Sequence, residues 1–148
     1  MKLEEIFGEW EKDSKIDRTE LGDVALNIPK LHHKYFKIFS HERLLLRKLE
    51  QDMKKLKKLK WEYFTGVLDQ ETLEEMKWEP FLQKILKQDV PTYIDSDGDI
   101  IALNLRIAVQ QEKIDALESI IKSIMNLGFQ VKSAIDWEKF KTGQWRKH

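Results

Sequence analysis

The feature that most constrains the fold is a heptad pattern of apolar residues in the last third of the chain. Between Ile100 and Ile124, isoleucine or leucine fills seven of the eight core positions of four heptads, and Gln110 fills the eighth. A pattern of this length is typical of a coiled coil. It predicts a helix over about 99–127 that joins subunits through Ile100, Leu103, Ile107, Ile114, Leu117, Ile121 and Ile124.

A second apolar flank widens this stripe, and it consists of Ile101, Leu105, Val109, Ile120 and Met125. A two-stranded coiled coil uses a narrower stripe. The width favours a helix with two neighbours, as in a helical bundle or a ring of subunits. The alternative is the central core helix of a monomeric bundle.

The rest of the chain is also helical in pattern. With 148 residues it has the length of one domain, and it holds only three prolines, six glycines and no convincing strand alternation. Apolar spacing predicts a short helix at about 2–13, a weak one at 18–28, and a kink or new helix at Pro29. A long helix follows from about 41 to 64, with Ser40 as its cap, and ends at Thr65-Gly66.

The later segments complete an all-α architecture. We expect one or two short helices within 67–88, for which Asp69 is a candidate cap and Pro80 suits a helix start. A loop at 89–99, an end to the heptad helix at Gly128 and a last helix at about 133–141 follow. The predicted organisation is one helical domain, 1–148, divided into N-terminal helices (1–66, with a basic segment at 54–66), an acidic connector (67–98), and the oligomerisation helix with its C-terminal tail (99–148).

Composition excludes several classes of protein. The chain has no cysteine, which rules out a disulfide scaffold and a cysteine-ligated zinc site. No apolar run approaches the 18 residues of a transmembrane helix, and the acidic N-terminus lacks the apolar region of a signal peptide. We therefore expect a soluble protein of the cytoplasm.

The formal net charge is zero, but the charges are segregated along the chain. The successive segments 1–23, 24–66, 67–100 and 101–148 carry −4, +7, −6 and +3. The +7 segment suits a polyanion, which the −6 segment would repel. The alternative is that opposite segments neutralise each other within the fold or between subunits.

A dense lysine run stands at the end of the long basic helix. Residues 54–60 read Lys-Lys-Leu-Lys-Lys-Leu-Lys, and helical spacing places three of these lysines on one stripe with Trp61. Lysines that hold phosphates beside rings that stack on bases are typical of single-strand binding. The predicted DNA site consists of Lys54, Lys55, Lys57, Lys58, Lys60, Trp61, Tyr63 and Phe64. The alternative is a solvated helix end whose cations complement the helix dipole, with aromatic residues in the core.

The sequence carries no recognisable catalytic or metal-binding motif. The acidic run from Asp95 to Asp99 fails the EF-hand pattern, because Ile100 and Arg106 occupy the positions of the required glycine and glutamate. We interpret it as an acidic turn that caps a helix. A weaker mixture of aromatic and basic residues at 137–147 is interpreted as a docking tail.

Three stretches resemble the UvsY family of bacteriophage recombination mediators. The acidic start, from Met1 to Asp17, is similar to the family's first helix, and 121–140 is similar to its C-terminal region. Residues 58–66 read Lys-Leu-Lys-Trp-Glu-Tyr-Phe-Thr-Gly and resemble the family's DNA-binding stretch, Lys-Ala-Arg-Leu-Asp-Tyr-Tyr-Ser-Gly. Lys60 replaces the family's arginine, which keeps the charge but loses the planar fork of the guanidinium group.

This resemblance implies a specific function. It implies a ring-shaped homo-oligomer, for which we expect six or seven subunits, that binds single-stranded DNA, the phage single-strand binding protein and the phage strand-exchange recombinase. Such proteins load the recombinase onto DNA that is covered by single-strand binding protein. They do so during recombination-dependent replication and repair, in the infected bacterial host cell. It implies no catalysis and no cofactor, since the ATP is used by the recombinase. The rival interpretation is a coiled-coil assembly or chaperone-like protein that binds no nucleic acid.

Overall fold

The computed structural model describes residues 1–143, and every regular element among them is helical. Five α-helices follow one another along the chain, with one 3₁₀ turn between the third and the fourth. They are α1 (Leu3–Asp13), α2 (Leu21–Phe64), α3 (Gln70–Met76), the 3₁₀ turn (Lys87–Asp89), α4 (Val90–Asp95) and α5 (Gly98–Lys141). The predicted all-α class is thus confirmed. No helix in this part of the chain is long and apolar enough to cross a membrane.

The helices form two compact units. The first unit contains residues 1–43 and the described residues from 111 onward, and the second unit contains residues 44–110. The long helices α2 and α5 contribute to both units. Within each unit they run antiparallel. In the first unit Glu42 lies beside Lys113 and Leu21 shares a pocket with Ala134. In the second unit Lys60 lies beside Asp97 and Lys55 shares a cleft with Arg106.

The first unit packs α1 against α2 through one aromatic pair and a small polar cluster. The rings of Trp10 and Tyr35 meet edge to face with centroids 5.6 Å apart. The Lys34 ammonium lies 2.8 Å from a Glu9 oxygen and 2.6 Å from Asp13 Oδ2, which also accepts a 2.8 Å hydrogen bond from the Tyr35 hydroxyl. This polar cluster fixes the short α1 on the longer helix.

The polar cluster makes the first unit sensitive to acid. Hydrogen bonding to Lys34 lowers the pKa of Glu9 below its ordinary 4.5. Burial raises the pKa of Asp13, but the hydrogen bonds from Lys34 and Tyr35 outweigh it and leave the pKa below its ordinary 3.8. A carboxylate with a lowered pKa stabilises the fold above its ordinary pKa, and that contribution is lost as the pH falls through the folded pKa.

We therefore expect the Lys34→Met variant to lose less stability than the wild type on acidification. The difference attributable to Asp13 should be about 1 kcal/mol in the free energy of unfolding, the size of one hydrogen bond. Urea unfolding at neutral pH and at about pH 3 measures it. Equal losses in both proteins would show that the cluster carries no acid-sensitive stability.

Both long helices extend further than the sequence predicted. Pro29 lies inside α2 and neither starts a helix nor separates one, and Ser40 does not cap a helix at 41. Gly128 likewise lies inside α5, so the two predicted C-terminal helices are one. The reason is packing. Buried or partly buried apolar residues at helical spacing lie on both sides of each predicted break, and they include Val24, Ile28, Leu31, Tyr35 and Phe39 in α2 and Ile124, Leu127 and Val131 in α5. Packing of this face offsets the helix-breaking cost, about 3 kcal/mol for proline and about 1 kcal/mol for glycine.

The core of the second unit is formed by the end of α2, α4, and the start of α5. Its buried members are Met53, Phe64, Val90, Ile94, Ile100 and Leu103. The predicted loop at 89–99 is wrong, because Val90 and Ile94 stand one turn apart and both turn into this core, and Pro91 suits the first turn of α4. The expected helix start at Pro80 is also absent, since residues 78–86 have no regular structure.

Two predicted helix ends are confirmed. Asp69 caps α3 by accepting a hydrogen bond from the backbone N–H of Thr72. Gly66 follows the end of α2 with a φ of +77°, in the left-handed region that glycine tolerates best.

Candidate nucleic-acid interface

Four lysines form an exposed cationic face on the last turns of α2, and we call it the lysine face. They are Lys54, Lys55, Lys57 and Lys58, all exposed to solvent. Within residues 1–143, none of the four lies within 4 Å of a carboxylate oxygen. Four unneutralised like charges on two turns repel one another, so the lysine face offers a favourable site to a polyanion.

Trp61 lies beside the lysine face, one turn after Lys57 and Lys58. Its side chain is 42% exposed, far more than is usual for a tryptophan in a core. An exposed indole next to cations supplies the flat surface on which a nucleic-acid base stacks. The structure therefore keeps Trp61 available for the role that the sequence predicted.

Lys60 does not join the lysine face. Its side chain is buried, with the residue only 3% exposed. Its ammonium nitrogen lies 3.1 Å from Asp97 Oδ1 and 2.9 Å from Asp99 Oδ2. Lys60 is therefore not part of the exposed cationic surface of α2.

Tyr63 and Phe64 pack against other aromatic residues of the second unit. Phe64 is buried in the second unit, with its ring 5.0 Å from that of Phe81 and 5.6 Å from that of Tyr93. Tyr63 packs its ring 5.3 Å from that of Trp78, and its hydroxyl donates a hydrogen bond to the backbone carbonyl of Glu79. Both aromatic residues hold residues 78–86 against α2, which covers the ring of Phe64 and partly covers that of Tyr63.

A shallow cleft of about 370 Å³ adjoins the lysine face. It is lined on α2 by Lys55 and Asp52, and on α5 by Asp99 and Arg106. The sequence did not predict that Arg106 lies beside the lysine face, because the two stand far apart in the linear order of the chain. The antiparallel pairing of the two helices brings them together and adds one guanidinium group beside the lysines.

The predicted oligomerisation residues lie mainly inside this chain. Ile100, Leu103, Ile114, Leu117 and Ile124 are buried in the structure of the single chain, and Ile107 and Ile121 are partly buried. The second apolar flank is mostly exposed, since only Ile120 of its five residues is buried. Ile101, Leu105 and Val109 stand one turn apart on the exposed part. Contact between subunits stays a prediction, and these exposed side chains are candidates for it.

The acidic run at the start of α5 caps that helix. Asp97 Oδ2 accepts hydrogen bonds from the backbone N–H groups of Asp99 and Ile100, at 3.1 and 3.2 Å. This confirms the interpretation of an acidic turn that caps a helix. Among the described residues, no group of three or more His, Cys, Asp or Glu is arranged to hold a metal ion.

The predicted docking tail is described only in part. Trp137 and Phe140 belong to α5 and are exposed, with their rings stacked 5.6 Å apart. Residues 144–148, which include Trp145, Arg146 and Lys147, lie outside the described residues.

Two long antiparallel helices with an exposed lysine face define an all-helical protein suited to a polyanion. The chain belongs to the UvsY family, since the family model for "Recombination, repair and ssDNA binding protein UvsY" matches residues 9–144. The family assignment made from sequence motifs is thereby confirmed. The family is one of recombination mediators and is not catalytic.

Individual relatives agree with this assignment. The chain is 24% identical over 144 residues to the recombination protein uvsY of Enterobacteria phage T4, covering 97% of this chain and all of the relative. It also superposes on crystal structures of the bacteriophage T4 recombination mediator protein UvsY. Lattice type II gives a TM-score of 0.83 at 23% identity, covering 96% of this chain and 98% of that one. Lattice type I gives 0.81 at 22% identity, covering 93% and 98%.

Proposed function

We propose that this protein is a recombination mediator that binds single-stranded DNA through the lysine face and Trp61. It then helps to load a strand-exchange recombinase onto DNA covered by single-strand binding protein, in recombination-dependent replication and repair in an infected bacterial cell. The observation that carries the proposal is the set of four exposed lysines without a carboxylate partner in the described chain, beside an exposed tryptophan. Membership of the UvsY family supports the same function.

The chemistry of binding is electrostatic with a stacking contribution. Each lysine that contacts a phosphate releases a condensed counterion, so affinity falls as salt rises, by about 0.7 in the log–log slope per contact for a single strand. Stacking of a base on Trp61 contributes about 1–3 kcal/mol and is tolerant of sequence. Binding of this kind holds a strand in place without reading its bases.

We also propose that the protein acts as a homo-oligomer, with six or seven subunits in a ring. Exposed apolar side chains on α5 support this, and Leu105, at 64%, is more exposed than Ile101 and Val109, which lie one turn before and after it. Repeating one weak DNA site around a ring raises overall affinity without new contacts. A strand bound along the ring would be drawn away from its single-strand binding protein and presented to the recombinase.

The double variant Leu105→Glu/Val109→Glu should reduce the oligomer to smaller species, because charges placed in an apolar interface lose solvation without gaining a partner. Light scattering coupled to size exclusion measures the mass. The matched control is Leu82→Glu/Leu86→Glu, which places two charges at exposed apolar residues of the same unit. An unchanged mass in the double variant would remove this flank from the interface.

The acidic connector is the proposed surface for the protein partners. Glu71, Glu74 and Glu75 on α3 are exposed, and the segment 67–100 carries a net charge of −6. Such a surface repels DNA and attracts basic proteins. On this proposal the acidic connector binds the protein partners, and the lysine face binds DNA.

Fluorescence anisotropy tests the DNA-binding step. A labelled oligo-dT strand is titrated with the wild-type protein at several salt concentrations, and unlabelled duplex is added as a competitor. We expect salt-sensitive binding that prefers the single strand, followed by faster recombinase loading on strands covered with single-strand binding protein. Absence of binding at low salt would favour the rival function, a coiled-coil assembly or chaperone-like protein.

A further inference from the structure

Lys60 differs from its neighbours in the lysine run because other parts of the second unit enclose its ammonium group. Besides the contacts with Asp97 and Asp99, the ammonium nitrogen lies 3.8 Å from the ring centroid of Trp78 and 5.4 Å from that of Tyr63. A cation over the face of a tryptophan ring is attracted by the ring's quadrupole. Two carboxylates and two rings thus occupy the surroundings of a single charge.

We propose that Lys60 is a positioning residue, which joins the end of α2 to the start of α5 and so holds the lysine face in place for DNA without contacting DNA itself. This inference rests on the function proposed above. It gives Lys60 a role different from that of Lys58, although the two stand in the same run of sequence.

The first support is that the Asp97 anchor is itself fixed. Asp97 caps α5, because its Oδ2 accepts hydrogen bonds from two backbone N–H groups, and its Oδ1 lies 3.1 Å from the Lys60 ammonium. The cation is therefore bound to a helix terminus and not to a freely moving side chain. The turn of α2 that carries Lys57, Lys58 and Trp61 is held in place through this bridge.

The second support is that the groups around Lys60 disfavour contact between its ammonium group and a DNA phosphate. To reach DNA, the ammonium group would have to leave both carboxylates and the ring of Trp78. Removing one partner of a buried ion pair leaves an uncompensated charge, which is strongly destabilising. Asp99 is 56% exposed at its side chain, so an approaching phosphate would also meet a negative charge.

The test compares Lys60→Met with Lys58→Met, which removes the same charge from an exposed neighbour. For Lys60→Met we expect a Tm lower by roughly 5 °C or more. At temperatures where the variant is folded, affinity for oligo-dT should fall several-fold with the slope of log affinity against log salt unchanged. For Lys58→Met we expect an unchanged Tm and a slope shallower by about 0.7. Lys60→Arg, which can still reach both carboxylates, should restore Tm and affinity together.

Two other results for Lys60→Met would overturn the proposal. A shallower slope with an unchanged Tm would identify Lys60 as a direct phosphate contact. An unchanged affinity, with or without a lower Tm, would show that Lys60 has no influence on the lysine face.

A second variant, Asp97→Asn/Asp99→Asn, distinguishes a positioning role of Lys60 from a direct contact of its charge with DNA. Asparagine keeps the capping hydrogen bonds, so α5 still has a cap. If Lys60 contacted DNA, removing two negative charges beside it would strengthen binding. Positioning by Lys60 predicts weaker binding and a lower Tm, as in Lys60→Met, and stronger binding would overturn it.

Failure of the wild type to bind oligo-dT would instead refute the proposed function, and the wild-type titration shows this before any variant is compared.

Discussion

Phe64→Ala is expected to destabilise the protein by about 3–5 kcal/mol in the free energy of unfolding. Phe64 is 8% exposed, and its ring contacts those of Tyr63, Phe81 and Tyr93 at centroid distances of 5.0 to 5.6 Å. Truncation leaves a cavity in this aromatic cluster and removes the anchor of residues 78–86. The expected decrease in Tm is roughly 6–20 °C, measured by thermal unfolding followed by circular dichroism.

Trp61→Ala is the matched variant for Phe64→Ala. Trp61 is a neighbouring aromatic residue on the same helix, but it is exposed, so its truncation should change stability by no more than about 0.5 kcal/mol. It should weaken single-strand binding by roughly 5- to 150-fold, the equivalent of one stacked base. A stable Phe64→Ala protein with impaired DNA binding would reverse the roles assigned to these two rings.

The second large effect is expected from removing the lysine face as a whole. The quadruple variant Lys54→Ala/Lys55→Ala/Lys57→Ala/Lys58→Ala should bind oligo-dT at least about 100-fold more weakly at 0.1 M salt, if each lysine contacts one phosphate. Thermal stability should be kept or rise slightly, because dense like charges on one helix repel one another. Anisotropy titration measures the affinity, and circular dichroism checks the fold.

The control for this variant keeps its net charge and changes the location of the removed lysines. Lys84, Lys87, Lys122 and Lys132 are also exposed and have no carboxylate partner among residues 1–143, so their replacement by alanine removes the same four charges. We expect a much smaller loss of affinity. Equal losses in the two variants would show that DNA responds to overall charge and not to the lysine face.

The class of fold was predictable from the sequence because helical periodicity is a local signal. Seven of eight apolar heptad positions predicted the helix that forms the N-terminal part of α5, and Gly66 and Asp69 marked helix termini as expected. The breaks at Pro29 and Gly128 were not predictable in the same way. Their local preference for ending a helix is overridden by buried faces that continue on both sides, and such packing is decided by the tertiary structure.

The position of the proposed DNA site was predictable in part, for a related reason. The spacing of Lys54, Lys57 and Lys58 placed them correctly on one exposed stripe with Trp61. Composition gives no indication that Lys60 is buried, because its partners Asp97 and Asp99 stand far away in the chain. The sequence had left open the alternative that the aromatic residues belong to the core, and the structure supports that alternative for Phe64.

The heptad pattern shows the limits of reading an interface from periodicity. Buried residues within one chain and buried residues between chains follow the same helical spacing. In the structure, Leu117 and Ile124 are already covered by the chain itself, whereas Leu105 on the second flank is exposed. Only the three-dimensional structure shows which apolar face remains available to a neighbouring subunit.

The measurement that tests the central claim most directly is the salt dependence of oligo-dT binding by the wild type and by the quadruple lysine variant. We expect the wild-type slope of log affinity against log salt to be steeper by about 3, since each of four lost phosphate contacts contributes about 0.7. Parallel lines for the two proteins would contradict the claim, and DNA binding would then have to lie elsewhere on the chain.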